Sequence, residues 1–320
     1  MINKETPRKI HLIRKKMWDA SINNFKRYLN KKTGLIKKKF LENRNCPSCG
    51  NRKKKILLNK NGGTYVVCKN CEMIYINPVF KDKDLENHYR NNHSVRSEIS
   101  LLDKKFFDYT YTKGFDLAAK TFKIPGTGLD VGCSAGMFLD LAKKKKWETY
   151  GLELNASEAK IAKTKGHIVQ EEKLENASFD KKFDIIFFWD VFEHIKNGNE
   201  CLNICKKLLK KNGIIFLQCP SRDSIALKIL QKNCNMLDGL EHVNLYGYKS
   251  LKVLCKRSNF KLIDYETIIS EIGVLNNFLD FNDPYLGKTK NTIKLFDLID
   301  EELMHKKKLG YKFQACLRVK

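Results

Sequence analysis

The sequence predicts an α/β fold: a mostly parallel sheet with helices on both faces, preceded by a small cysteine-bearing module. Three observations carry this. From residue 126 onward, strand-length apolar segments alternate with helical ones, the pattern of a sheet built from crossover units. Residues 129–155, LDVGCSAGMFLDLAKKKKWETYGLELN, compress one such unit into a single stretch. Upstream, Cys46-Pro-Ser-Cys49 and Cys68-Lys-Asn-Cys71 enclose 18 residues, which is a metal-ribbon spacing.

Within the central stretch, 128–131 is a short apolar strand and Gly132, Ser134, Ala135 and Gly136 form a small-residue turn. A helix over about 137–146 and a second strand ending in Glu153 follow. Strand, glycine turn and helix in this order make a nucleotide-binding unit, because the backbone must turn tightly and let a ligand lie against it. Glu153 falls roughly 20 residues beyond the turn, where a ribose-binding acid is expected. A dinucleotide fingerprint would need glycine at positions 134 and 137, which hold Ser134 and Met137. The pattern is instead Asp130-x-Gly132-x-Ser134-x-Gly136. An acid on the strand just before the turn suits a ligand carrying an ammonium group rather than phosphates. Adenosine with an amino-acid tail, S-adenosylmethionine, matches both ends.

On these residues the chain resembles the class I S-adenosylmethionine-dependent methyltransferases over about 126–320. The resemblance implies a Rossmann-like, doubly wound sheet of seven strands. It also implies cofactor contacts from Asp130, Gly132, Cys133, Ser134, Gly136, Glu153 and Asp190. The remaining segments fit that plan: a short helix at 157–165, a third strand at 167–169, and a fourth at 183–189, apolar enough to be buried on both faces. A helix at 202–209 leads to a fifth strand at 214–218, and a helix at 248–258 to strands at 262–267 and 311–319. In the family pattern the loop after the third strand borders adenine, which implicates Glu172, Leu174 and Glu175. In such sheets ligands bind at the carboxyl ends of the strands, where Gly136, Glu153, Asp190 and Cys219 fall.

Methyl transfer from a sulfonium needs little covalent help, since the donor arrives activated and alignment supplies much of the rate. A hydroxyl acceptor must also lose a proton, which requires a base. The candidates are His194, in Asp190-Val-Phe-Glu193-His194, and His242, in Glu241-His242-Val243-Asn244. Both also admit a structural role, ordering their loops. Asp190, Glu193, His194 and His242 together resemble the group in ubiquinone-pathway O-methyltransferases and small-RNA 2′-O-methyltransferases. There acid-x-x-Glu-His binds a divalent ion that positions the hydroxyl; here the first acid is the shorter Asp. The Asn/Asp-Pro-Pro-Tyr motif of amino-directed nucleobase enzymes is replaced by Trp-Asp-Val-Phe, and Cys219 lacks the partner motif of a cytosine C5 nucleophile, so it reads as packing.

The cysteine module spans 44–80. Four thiolates, Cys46, Cys49, Cys68 and Cys71, give zinc a closed tetrahedral shell, which is structural because no position remains for water or substrate. Between the pairs, 55–59 and 64–67 read as strands joined by Asn61-Gly62-Gly63. A ribbon of this form, followed by an apolar strand and Asn77-Pro78, resembles those fused to bacterial methyltransferases acting in sugar or cell-surface glycan pathways. The other seven cysteines are scattered, which fits a reducing cytoplasm better than a disulfide framework.

Residues 1–43 form a basic arm. Ile10, Ile13, Met17, Trp18, Ile22, Phe25 and Leu29 recur at helical spacing, a stripe that packs on its own protein or lies on an anionic membrane surface. Residues 1–60 carry 19 Lys/Arg against 3 Asp/Glu, out of a formal charge of +25, so RNA is a candidate partner. No secretory h-region or membrane-length apolar run is present, and the expected location is cytoplasmic. Residues 81–125 read as a helical cap, with Phe106, Phe107, Tyr109, Tyr111, Phe115, Leu117 and Ala118 packing on the next domain.

The reading is therefore a methyltransferase with a structural zinc ribbon, acting on a hydroxyl or activated carbon of a small molecule, a sugar or glycan precursor. Its rivals are an RNA methyltransferase that uses the ribbon and arm, and a non-enzymatic binding module. Residues 222–246 and 268–310 carry no legible motif, and the oligomeric state is not legible either.

Overall fold

Five parallel strands form the centre: β6 (Thr127–Val131), β7 (Glu148–Leu152), β8 (Ile168–Gln170), β9 (Phe183–Trp189) and β10 (Leu209–Pro220). With β12 (Phe260–Ile268) and β13 (Lys312–Val319) they make a seven-stranded sheet ordered β12-β13-β10-β9-β6-β7-β8. Only β13 runs antiparallel to its neighbours. This computed structural model describes residues 22–91, 104–122, 125–268 and 300–320, together with 13, 16 and 19.

The apolar fourth strand is buried on both faces because each face meets a separate core. Ile185, Phe187 and Trp189 pack with Phe115, Phe138, Trp147 and Phe216, whereas Ile186 and Phe188 pack with Leu129, Leu202, Leu217 and Leu254. The odd–even split is the two-residue period of a strand. Helix Lys104–Ala119 lies on the first face. A Cβ on its Gly114 would stand 2.5 Å from Phe216 and 2.6 Å from Trp189, so glycine is what lets the helix approach so closely. Of the aromatic residues predicted to pack from this segment, Phe115 is buried, but Tyr109 faces outward with 64% exposure. The fifth strand extends further than predicted in both directions, with a register irregularity between Leu209 and Ile214.

The cysteine module forms a second sheet. β2 (Lys54–Lys60) and β3 (Gly63–Cys68) make a hairpin across Asn61 and Gly62, both with positive φ (49° and 90°), the backbone of a tight two-residue turn. β4 (Ile74–Ile76) continues it, and the fourth strand is β11 (Asn244–Leu245), from the segment after β10; β1 (Leu41–Glu42) and β5 (Val79–Phe80) pair as a separate two-stranded sheet. The module is therefore not a separate bead. Cys46, Cys68, Cys71, Met73 and Tyr75 belong to the same buried cluster as Phe192, Tyr246 and Leu251.

The described part of the arm packs on the protein. Phe25, Tyr28 and Ile36 are buried with Phe80, Leu85 and Leu240. Ile10, Met17 and Trp18 lie outside the described residues. Among those described, no helix is long and apolar enough to cross a membrane.

Candidate active site

The glycine turn sits at the carboxyl end of β6, as predicted. Gly132, Ser134 and Gly136 all have positive φ (77°, 48° and 78°). A Cβ at Gly132 would meet Val191 at 2.6 Å, and one at Gly136 would meet His167 at 2.9 Å, so both positions need glycine for conformation and for space. Glu153 fastens the turn to the end of β7: Oε2 accepts from the Ser134 amide at 2.8 Å and Oε1 from the Asn155 amide at 2.8 Å. Ser134 Oγ donates to Glu158 Oε2 at 2.6 Å. Asp130 is buried, and its Oδ1 meets no hydrogen-bond partner. Burial, and secondarily the charge of Glu153, hold its carboxyl well above the usual carboxylate range. A buried acid with one unpartnered oxygen beside the glycine turn is a group that a cationic ligand would satisfy.

At two of the expected positions, 133 and 174, the side chain is packed into the protein. The Cys133 side chain is buried with Leu139, Ala159 and Ala162, and its amide donates to Leu152 at 2.9 Å, so its thiol is packing. In the loop after β8, Leu174 is buried in the central core, while Glu172 bonds the Lys173 amide and the Asn176 side chain within its own turn. The family pattern implicates the loop after the third strand, and within that loop the Leu174 side chain serves as a core anchor.

A second group stands beside the turn, at the end of β9, the strand that pairs with β6. The ligand atoms of Glu193, His194 and His242 lie within 4.8 Å of one another, and the two imidazole rings are 5.0 Å apart. Each ring is anchored through the same nitrogen. His194 Nδ1 is 2.9 Å from the Glu241 carbonyl and His242 Nδ1 is 2.9 Å from the Met236 carbonyl. A carbonyl only accepts, so in the neutral ring Nδ1 carries the proton and Nε2 keeps its lone pair. Neither Glu193 oxygen meets a donor in good geometry, and the Cys219 thiol lies beside it. Burial and the nearby Asp190 push the Glu193 carboxyl up to about 7. Burial opposes charge on His242, but Asp238 and Glu193 outweigh it and raise its pKa. One buried carboxylate and two imidazoles, each anchored to a backbone carbonyl through Nδ1, are a divalent-ion donor set, and the anchoring carbonyls are the outer partners such a site uses.

Asp190 does not join this group, contrary to the four-residue expectation. Its Oδ2 pairs with Lys312 Nζ at 2.6 Å and accepts from Gln218 Nε2 at 3.0 Å. Lys312, at the start of β13, is largely buried. No motif flagged it, because an isolated lysine in a lysine-rich chain carries no signal. Gln314, two residues on, extends the network by donating to Gln218 Oε1 at 2.9 Å. Tyr89 was also missed. Its hydroxyl is 3.1 Å from His194 Nδ1, and its helix, Asp82–Asn91, also carries His88, whose Nε2 is 2.8 Å from Glu241 Oε1.

The four cysteines converge as their spacing predicted. Cys46 Sγ is 3.4 Å from Cys71 Sγ, and Cys49 Sγ is 3.5 Å from Cys68 Sγ. Sulfurs around a tetrahedral ion at about 2.3 Å would stand roughly 3.8 Å apart, so the donor set fits zinc. The two knuckles repeat one turn: Gly50 and Glu72 both have positive φ (74° and 63°), and their amides donate to the Cys46 and Cys68 carbonyls. All eleven cysteines are free of disulfides.

A family model described as "Methyltransferase domain" matches residues 104–265, a span that holds the glycine turn and the Glu193–His194–His242 group. The ubiquinone biosynthesis O-methyltransferase of Pasteurella multocida is 28% identical over 111 residues, 29% of this chain and 46% of that protein. An uncharacterized protein of Methanocaldococcus jannaschii is 28% identical over 173 residues, 53% of this chain and 82% of that one. The match thus spans about half the length of the Pasteurella relative. Among solved structures, an S-adenosylmethionine-dependent methyltransferase from Archaeoglobus fulgidus aligns with a TM-score of 0.48 at 19% identity, covering 68% of this chain and 98% of that one. With half of its length matched by the family model, the chain belongs to the methyltransferase-domain family.

Proposed function

We propose that the chain transfers the methyl group of S-adenosylmethionine to a hydroxyl of a small molecule, with Glu193, His194 and His242 as the acceptor-side group. The observation that carries the reading is that trio: a buried carboxylate and two imidazoles whose ligand atoms lie within 4.8 Å of one another, beside the glycine turn. Asp130, Gly132, Ser134, Gly136 and Glu153 would bind the cofactor, Asp130 facing its ammonium and Glu153 its ribose. A divalent ion held by the trio would lower the pKa of a bound hydroxyl and orient it. The chain's own share is to fix both rings through Nδ1, to keep Glu193 dry and to bring the acceptor oxygen in line with the methyl group. The Pasteurella relative is named an O-methyltransferase, which favours oxygen over carbon as the acceptor atom.

A zinc ion at Cys46, Cys49, Cys68 and Cys71 would be structural, closing the knuckles. The proposed acceptor is a sugar or glycan precursor, a class supported by the ribbon's resemblance to those of glycan-pathway methyltransferases. Calorimetric titration of S-adenosylmethionine into zinc-loaded protein, with a sugar-nucleotide panel or total RNA present, tests the reading. Cofactor binding strengthened by one sugar nucleotide supports it. Strengthening by RNA alone replaces the acceptor class, and absence of cofactor binding overturns the assignment.

A further inference from the structure

The hairpin of the cysteine module is attached to one particular segment, residues 234–243, which ends in His242 and Val243. At the hairpin tip the two backbones touch. A Cβ on Gly63 would stand 2.0 Å from the Gly239 carbonyl oxygen, and one on Gly239, whose φ is +86°, would stand 2.0 Å from the Lys60 carbonyl oxygen. Lys60 Nζ donates to the Cys234 carbonyl at 3.0 Å, and Asn61 Nδ2 to the Asp238 carbonyl at 2.7 Å. In mid-hairpin the buried Tyr65 hydroxyl accepts from the Gly239 amide at 3.0 Å and donates to the His242 carbonyl at 3.2 Å. Asp238 closes the segment on itself, its Oδ1 accepting from the Leu240 and Glu241 amides at 2.8 and 3.0 Å and its Oδ2 from the His242 amide at 3.1 Å.

Beyond His242 the segment enters the module's sheet. The Ile76 amide donates to the Val243 carbonyl at 3.0 Å, and Asn244 and Leu245 pair with Tyr75 and Ile74. Arg44, two residues before the first cysteine, ties both histidine-bearing loops to the module. Its guanidinium donates to the Val243 carbonyl at 2.7 Å, to the Lys196 carbonyl at 2.7 Å and to the Ile76 carbonyl at 3.1 Å. Lys196 is two residues past His194 and Val243 one past His242, so a single side chain fixes the spacing of the two loops. Arg44 is half-buried, and desolvation lowers its pKa to about 10, still far above neutrality, so the tie stays charged.

From this arrangement we propose that the cysteine module is a positioning element of the acceptor-side site: its hairpin, through the contact of Tyr65 with Gly239, and its Arg44 hold His242 beside Glu193 and His194. Two of the module's strands face inward: Tyr65 and Val66 of β3 and Ile74, Tyr75 and Ile76 of β4 are buried against the rest of the protein, while β2 is the exposed edge. The functional meaning of the proposal rests on the reading of the trio given above, but the positional claim can be measured without turnover.

The test uses the full zinc-loaded chain with labelled histidine side chains and compares wild type, Tyr65→Phe and Gly239→Val. Three readouts are taken: the nuclear Overhauser contact between the His194 and His242 rings, Mn²⁺ affinity, and S-adenosylmethionine affinity. Gly239→Val should abolish the ring contact and weaken Mn²⁺ binding at least tenfold. Tyr65→Phe, which removes only an oxygen, should weaken Mn²⁺ binding about three- to tenfold. Cofactor affinity should stay within twofold in both variants, since neither residue touches the glycine turn, and this separates local displacement from unfolding. A ring contact that persists in both variants overturns the proposal. If Gly239→Val fails to fold, Tyr65→Phe alone decides. If the wild-type chain binds no Mn²⁺, the divalent-ion reading fails while the ring contact still decides the positional claim.

Discussion

At the glycine turn, the hydrogen bonds that shape the site come from one short stretch. Ser134 reaches Glu153 at a separation of 19 residues and Glu158 at 24, and the strand, turn and helix around them are consecutive. At the imidazole pair, His194 meets the carbonyl of Glu241 across 47 residues, and the hydroxyl steadying His242 comes from Tyr65, 177 residues earlier. The first region is a local device whose geometry follows from backbone conformation. The second is assembled by docking one module on another. Local devices withstand distant damage, whereas an assembled site inherits the stability of each part that holds it.

Five perturbations would break or sharpen this contrast. The largest effect is expected from Cys46→Ser in the assembled region. Structural zinc supplies most of the folding energy of small modules, on the order of 10 kcal/mol in isolated peptides. The variant should lose zinc, measured by a chromogenic release assay, and lose the His194–His242 contact, yet keep cofactor binding; loss of both affinities together would erase the distinction between the regions. Next, Lys312→Met leaves Asp190 without its cation, at a cost of about 2 kcal/mol given that the pair is only partly buried. Denaturant titration should show that loss, and an unchanged midpoint would mean that solvent replaces the lysine.

In the local region, Gly136→Arg forces a side chain into a left-handed backbone and against His167. Cofactor affinity should fall more than tenfold by calorimetry, as it should for Glu153→Ala, which also frees the Ser134 and Asn155 amides. Affinity equal to wild type in either variant would remove the turn from the cofactor site. The smallest effect is expected from Asn155→Ala. Its side chain caps helix Ala156–Thr164 by accepting from the Ser157 and Glu158 amides, and losing such a cap costs about 1 kcal/mol. A thermal shift of a few degrees with cofactor affinity retained would show that the local device tolerates a weakened neighbour.

The same contrast explains what could be read before the fold was known. The fourth strand was legible to the residue because Phe183 and five consecutive apolar residues, 185–189, have one comfortable place, inside a parallel sheet. The cysteine pairs were legible because thiolate spacing carries its own geometry. Asp190 was misplaced since its neighbours in sequence, Glu193 and His194, go one way while its own side chain turns to Lys312 on a strand more than a hundred residues later. Cys133 and Leu174 sit in the right loops but point inward, a choice of direction that residue type leaves open. Tyr89 and Tyr65 gave no signal at all, because a tyrosine becomes a positioning group only when something distant arrives at its hydroxyl.

The amino-acid sequence by itself determined the strand–turn–helix unit, the order of the sheet elements and the metal-ribbon knuckles. Each depends on interactions among residues close in the chain or on a repeating apolar period. Only the tertiary structure decided that the cysteine module shares its sheet with Asn244 and Leu245, that Arg44 spans both histidine loops, and that Lys312 takes Asp190. Those contacts join segments far apart in sequence. Their energies depend on burial and alignment that exist only once both partners have folded into place.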